Sequence, residues 1–278
     1  MHVDRRETET SRWEIARRAP PTALRPYLLG TPQGWEQMRG VGTQLREVPV
    51  PGVPLIVSFG SAWELEDPGG VTETHSSFMA GMHTAPALVR GGATWGCIDL
   101  RLTPLAAHRL LGLPMHELTN RTIELDDVIP EARELNERLH EAGSWGERFD
   151  LVERFLARRL VEAAPPSPAV AWSWEHLRRT NGQASISHLA EELGWSHRRL
   201  IARFREQIGV TPKVLARVIR FDRAASALRS STARGLAEIA FDCGYFDQAH
   251  LNREFREFAG TTPASFRAAH LGSGAVAA

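Results

Sequence analysis

Apolar and polar positions divide the chain into two unlike halves. Before residue 163 the apolar runs are short: Val53–Phe59, Ser77–Met82, Ala87–Val89 and Thr94–Leu102. Pro-Gly, Gly-Gly and Asp-Pro pairs separate them, the punctuation of a small sheet or barrel. In the last run Cys97, Asp99 and Arg101 alternate with Gly96, Ile98, Leu100 and Leu102. That period of two predicts a half-buried strand. Thr103 and Pro104 then open a helix that Gly112 closes, with Thr as N-cap and Pro at the first helical position. Two longer helices are predicted over 131–142 and 145–162. The second places Phe149, Val152, Phe155, Leu156 and Leu160 on one stripe, to pack on the barrel or on a second chain.

The clearest break lies at Pro165, Pro166 and Pro168. Prolines so spaced end the preceding helix and favour an extended connection. The predicted organisation is an α+β domain over 1–163, with a small β-sheet or barrel and flanking helices. A linker follows over 164–169. An all-α domain spans 170–270, and a flexible tail covers 271–278.

The second half contains a repeat. Leu189, Ala190, Gly194 and Trp195 recur 50 residues later as Ile239, Ala240, Gly244 and Tyr245. Leu200, Phe204, Arg205, Gly209, Thr211 and Pro212 recur at 51 as Leu251, Phe255, Arg256, Gly260, Thr262 and Pro263. One residue is therefore inserted, placed here at the start of the second unit's second helix. Each copy has the physics of a helix-turn-helix. An alanine stands where two helices cross closely, a glycine takes the sharp turn four residues later, and Leu and Phe anchor the second helix. Ser196 suits a helix cap, and Asp247 a helix N-terminus. Thr211 and Pro212 open a long helix to about Arg229 that joins the two units.

Charge adds a second asymmetry. The chain of 278 residues carries 33 basic and 33 acidic side chains, so its net charge is zero. Residues 1–165 hold 18 basic and 23 acidic groups, whereas 166–278 hold 15 and 10, net +5. A basic second half beside an acidic first half points to a polyanionic partner for one of them. No apolar run reaches membrane-spanning length and the N-terminus lacks a signal-peptide core, so a cytoplasmic protein is expected. Two distant cysteines, Cys97 and Cys243, fit a reducing compartment, and Cys243 is expected in the core.

The repeat resembles the DNA-binding domain of AraC/XylS transcription regulators over about residues 168–268, most closely from Gly244 and Tyr245 to Thr262 and Pro263. The first half is similar to an N-terminal domain of some bacterial members through Leu24 to Tyr27, Phe78 to Thr84, and Leu110 to Thr119. The resemblance implies a sensory or oligomerising domain, joined to two helix-turn-helix units that read adjacent major grooves. It implies groove-facing positions at Arg198, Ile201, Ala202 and Arg205, with His197 and Arg199 at the helix start. On the second recognition helix they are Gln248, Ala249, Asn252, Arg253 and Arg256, with His250 beside them. Arginine pairs with guanine edges or phosphates, and Gln or Asn with adenine. Ile201 and Ala202 depart from the polar residues many members carry there, so the second unit is expected to carry much of the base readout. Arg203 is expected to be ion-paired or merely exposed. Lys213, Arg217 and Arg220 are open between phosphate contact and structural pairing. Phe246 is expected to pack.

The implied partners are double-stranded DNA and RNA polymerase, with a small-molecule effector and a homodimer through the first domain. Trp63, Phe78, Met82, His83 and Trp95 are the candidate pocket residues, though each also suits plain core packing. HExxH, GxSxG, P-loop and GxGxxG patterns are missing, so no catalytic or metal site and no cofactor is expected. Two alternatives stand beside the regulator. One is a DNA alkylation-repair or modification protein using Cys97 as acceptor; the other is a regulator without an effector.

Overall fold

The computed structural model describes residues 1–230 and 234–272, with side chains to 269. The first half is built on two antiparallel sheets. Strands β1 (His2–Glu7), β2 (Arg12–Arg17) and β3 (Gln33–Arg39) lead into the larger sheet, and β4 (Thr43–Glu47) starts the smaller one. Next come β5 (Val53–Ser58), β6 (Trp63–Glu66), β7 (Thr72–His75), β8 (Phe78–Ala80), β9 (Ala87–Gly91) and β10 (Trp95–Leu102), with β11 (Thr122–Glu124) after the first helix. The larger sheet runs β1-β2-β3-β10-β5-β8-β11 and the smaller β4-β9-β6-β7. β10 lies between β3 and β5, with Ile98 opposite Gly34 on one side and Val57 on the other.

The larger sheet is covered on both faces. Val57, Ile98, Leu100 and Leu102 join a core with helices α1 (Pro104–Leu111), α3 (Ala132–Glu141) and α4 (Trp145–Glu162). A short helix α2 (Leu125–Val128) precedes α3. The other face, with Phe78 and Cys97, meets Trp63, Leu65 and Val89 of the smaller sheet. β10 is therefore not half-solvated as its alternation predicts: its polar side looks into the space between the sheets. α1 begins as predicted, with Thr103 Oγ1 accepting from the Ala106 N–H at 3.1 Å and Gly112 left-handed at its end. The apolar stripe of α4 is buried against this domain's own sheet and helices.

Helix α5 (Pro168–Arg179) starts inside the predicted linker, because Pro168 is pre-set for a first helical position; the irregular connection is 163–167. The two repeats follow as α6 (Ile186–Glu192) with α7 (His197–Ile208), and α9 (Leu236–Asp242) with α10 (Gln248–Ala259). α8 (Pro212–Ser230) joins them, and α11 (Pro263–Gly272) closes the chain. α11 covers the first two residues of the predicted tail; 273–278 lie outside the described residues.

The domains share one continuous apolar core. α7 rests on α1 and on a 3₁₀ turn at Met115–Leu118. Thr119 Oγ1 donates to the Gly209 carbonyl at 2.8 Å, and the Ser167 N–H donates to Gln207 Oε1 at 3.0 Å. The first helix-turn-helix is thus docked on the first domain.

Candidate nucleic-acid interface and inter-sheet cavity

The two turns are built alike from the backbone up. The Trp195 N–H donates to the Ala190 carbonyl and the Tyr245 N–H to that of Ala240, both at 2.9 Å. The Gly194 N–H donates to Glu191 and the Gly244 N–H to Phe241, at 3.0 and 3.1 Å. This is the Schellman closure, which requires a left-handed residue, and Gly194 and Gly244 have φ of +61° and +78°. Ser196 caps α7 by accepting from Arg199, and Asp247 caps α10 by accepting from His250 at 2.7 Å. The turns differ in length, 193–196 against 243–247, so the inserted residue lies in the second turn and not on the helix. That corrects the expected placement of the insertion. It also explains Phe246, which is 94% exposed and packs on nothing, against expectation. The turn spends its extra residue outside the core, with Tyr245 buried before it and Asp247 held as the cap.

The predicted groove-facing side chains form two solvent-facing surfaces. His197, Arg198, Arg199, Ile201, Ala202 and Arg205 are all exposed on α7, while Leu200, Phe204 and Ile208 anchor its other side. On α10, Gln248, Ala249, Arg253 and Arg256 are exposed and His250 and Asn252 half-buried, over buried Leu251, Phe255 and Phe258. Arg199 stacks on Trp195 at 4.5 Å, and the His250 ring stands edge-on to Tyr245 at 5.1 Å. Three other arginines have structural partners. Arg203 pairs with Glu206 at 2.6 Å. Arg217 holds Glu254 at 2.7 Å and Glu257 at 2.5 Å, and these contacts push the already high guanidinium pKa up further despite burial. Arg220 donates to the Gly182 carbonyl at 2.8 Å. Lys213 is exposed. Cys243 is buried.

Between the sheets lies an open cavity of about 340 Å³. Trp35, Trp63, Trp95, Phe78 and His83 supply its aromatic wall; Leu45, Leu65 and Val89 its aliphatic wall. Four of the five candidate pocket residues line it. The fifth, Met82, just past the end of β8, is fully buried in the helix-side core and lines no part of it. Trp63 Nε1 donates to Ser58 Oγ at 3.1 Å and Trp95 Nε1 to Thr43 Oγ1 at 3.2 Å; their rings lie 4.8 Å apart. His83 Nδ1 donates to the Gly81 carbonyl at 2.8 Å, and burial lowers the imidazole pKa, which leaves the ring neutral with Nε2 as acceptor.

The polar side of the cavity was not legible in the sequence as a site. Glu47, Asp99 and Arg101 point into it. Desolvation raises the pKa of half-buried Asp99 and of Glu47, although Glu47 keeps an exposed surface; Asp99 raises Glu47 further, and Arg101 pulls each back. From α8, Asp222 and Arg229 share this field: Arg101 and Arg229 lower Asp222, which burial raises, and Asp222 and Glu47 support Arg229 against burial. Only the alternation of β10 marked Asp99 and Arg101; nothing marked Glu47, Asp222 or Arg229. Cys97 also faces the cavity. Burial, and then Asp99, push its thiol pKa well above the ordinary range.

Residues 189–269 match the family model described as a helix-turn-helix domain. No curated protein matches the chain. Among solved structures, apo ToxT from Vibrio cholerae, a single-substitution form, shares 13% identity over 90% of this chain and 98% of its own, with a TM-score of 0.47. The C-terminal domain of AraT, a response regulator from Geobacillus stearothermophilus, shares 25% over 38% and 88%, TM-score 0.36. A transcriptional regulator with an AraC-type DNA-binding domain from Chromobacterium violaceum shares 22% over 38% and 95%, TM-score 0.35. With two helix-turn-helix units joined by one long helix, and the match running through both, residues 189–269 are a helix-turn-helix domain of the AraC type.

Proposed function

We propose that the protein is a sequence-specific transcription regulator whose DNA-binding domain is controlled by a small molecule in the inter-sheet cavity. One contrast among the arginines supports it most. Arg203 and Arg217 are tied to carboxylates and Arg220 to a backbone carbonyl. Among the described residues, Arg198, Arg205, Arg253 and Arg256 have no such partner, and all four stand on the exposed faces of α7 and α10. Cations kept free on two recognition helices suit phosphates and guanine edges. α10 adds Gln248 and Asn252, whereas α7 offers Ile201 and Ala202, which reach only apolar groups such as thymine methyls.

The second unit therefore carries most of the base readout. Arg253→Ala is expected to weaken binding of the full chain to its mapped operator by about 1–3 kcal/mol, roughly 5- to 150-fold, and to relax preference at one base position. Arg198→Ala should weaken specific and nonspecific sites alike. Fluorescence anisotropy on operator and scrambled duplexes at one salt concentration measures both. Relaxed preference in Arg198→Ala with preference intact in Arg253→Ala reverses the assignment.

The position of the cavity supports control by a ligand. It is built from the first domain, and its charges are coupled to α8 of the second. A ligand that fits one domain arrangement better shifts the population toward it. Such a regulator works with RNA polymerase on double-stranded DNA in the cytoplasm, where two buried unpaired cysteines stay reduced, and a homodimer fits operators with paired sites.

A further inference from the structure

The walls of the cavity are selective about charge. Trp63 and Trp95 satisfy their indole N–H groups within the protein, so what they present inward is π-face. Trp35 and Phe78 extend that surface. Two further carboxylates at the cavity, Glu14 and Glu36, are already neutralised, by Arg5 at 2.9 Å and by Arg148 at 3.1 Å. Glu47 and Asp99 are not: among the described residues neither carboxylate has a hydrogen bond or an ion pair within 4 Å. The neutral His83 adds an acceptor nitrogen. Against these acceptors the cavity lining sets one cation, Arg101, while Arg229 of α8 acts on Glu47 from behind the lining.

Aromatic faces attract cations through the ring quadrupole, and carboxylates without partners gain a charge-assisted hydrogen bond from a cationic donor. A carboxylate ligand would meet two acids for one arginine. We propose that the cavity binds an organic cation, a protonated amine on an apolar or aromatic body, with the body against Trp63, Trp95 and Phe78 and the ammonium between Glu47 and Asp99. This names the ligand class of the effector site and rests on that reading only for the effect on DNA.

The test is calorimetry on the full chain with two matched sets: tryptamine, tryptophol and indole-3-propionate; then 4-phenylbutylamine, 4-phenylbutanol and 4-phenylbutyrate. Each amine is expected to bind about tenfold or more tighter than its alcohol and its acid, with tryptophan fluorescence quenched. Glu47→Gln and Asp99→Asn should each abolish that preference, and Arg101→Gln should leave or strengthen it. Glu47, at the solvent-reached end of a strand, provides the variant if Asp99→Asn does not fold. Amines no tighter than their alcohols in both sets, or acids bound tightest and lost in Arg101→Gln, would overturn the proposal. Operator binding separates the two levels. An amine that fills the cavity without changing DNA affinity keeps the cation site and removes the effector role. An acid or alcohol that binds and changes DNA affinity keeps the effector role and removes the cation.

Discussion

Phe255→Ala is expected to lower the stability of the helix-turn-helix region by about 3–5 kcal/mol, the range for truncating a fully buried phenylalanine. Phe255 is inaccessible on α10, with its ring 4.8 Å from Phe221 of α8 and 5.5 Å from Phe266 of α11. Three helices therefore meet on one side chain, and α8 and α11 cannot collapse into the space without tilting the recognition helix. A loss of that size is a large part of the total stability of a domain, about 5–15 kcal/mol. Urea denaturation should show it, and hydrogen exchange should place the loosening in α9 and α10, since α6 and α7 keep their support from the first domain. Phe241→Ala is the control: this phenylalanine is 82% exposed and should cost within about 0.5 kcal/mol. Equal effects of the two would mean that the aromatic cluster does not hold the second unit.

Gly182→Ala is expected to cost about 2–4 kcal/mol, more than a left-handed glycine alone explains. Gly182 follows α5 with φ of +72°, and a Cβ there would stand 2.3 Å from the Ala216 carbonyl oxygen. That contact is backbone against backbone, so α8 must move as a unit, and the hydrogen bond from Arg220 to the Gly182 carbonyl moves with it. Gly194→Ala isolates the conformational part, because Gly194 is also left-handed but its Cβ would meet nothing within 4 Å. That variant should lose only about 1 kcal/mol. Thermal and urea unfolding of both variants give the difference; matching losses would show that α8 gives way freely.

Much of the second half was legible in the sequence because its constraints are local. Ala190 with Gly194, and Ala240 with Gly244, lie within one helix end and one turn, where a chain of five or six residues settles its own hydrogen bonds. Ser196 and Asp247 cap the helices that follow them for the same reason. The alternation on β10 was legible too, but its meaning was not. A period of two says that Asp99 and Arg101 share a face, yet whether that face meets solvent or a second sheet depends on strands far away. Phe246 shows the opposite failure. Its side chain alone argues for the core, but the turn has one residue more than its closure needs, and Phe246 is the one left outside.

The sequence by itself determined the two helix-turn-helix units, their caps and the cationic faces of α7 and α10, since spacing along a helix decides which side chains stand together. Only the tertiary structure decided the rest. Pairing of β4 with β9 and of β10 with β3 and β5 brings Glu47, Asp99 and the tryptophans to one cavity. Packing of α7 on α1 joins the first helix-turn-helix unit to the first domain. Both depend on contacts between residues distant in sequence, where long-range burial overrides local preference, and no local pattern encodes which distant partner a face will meet.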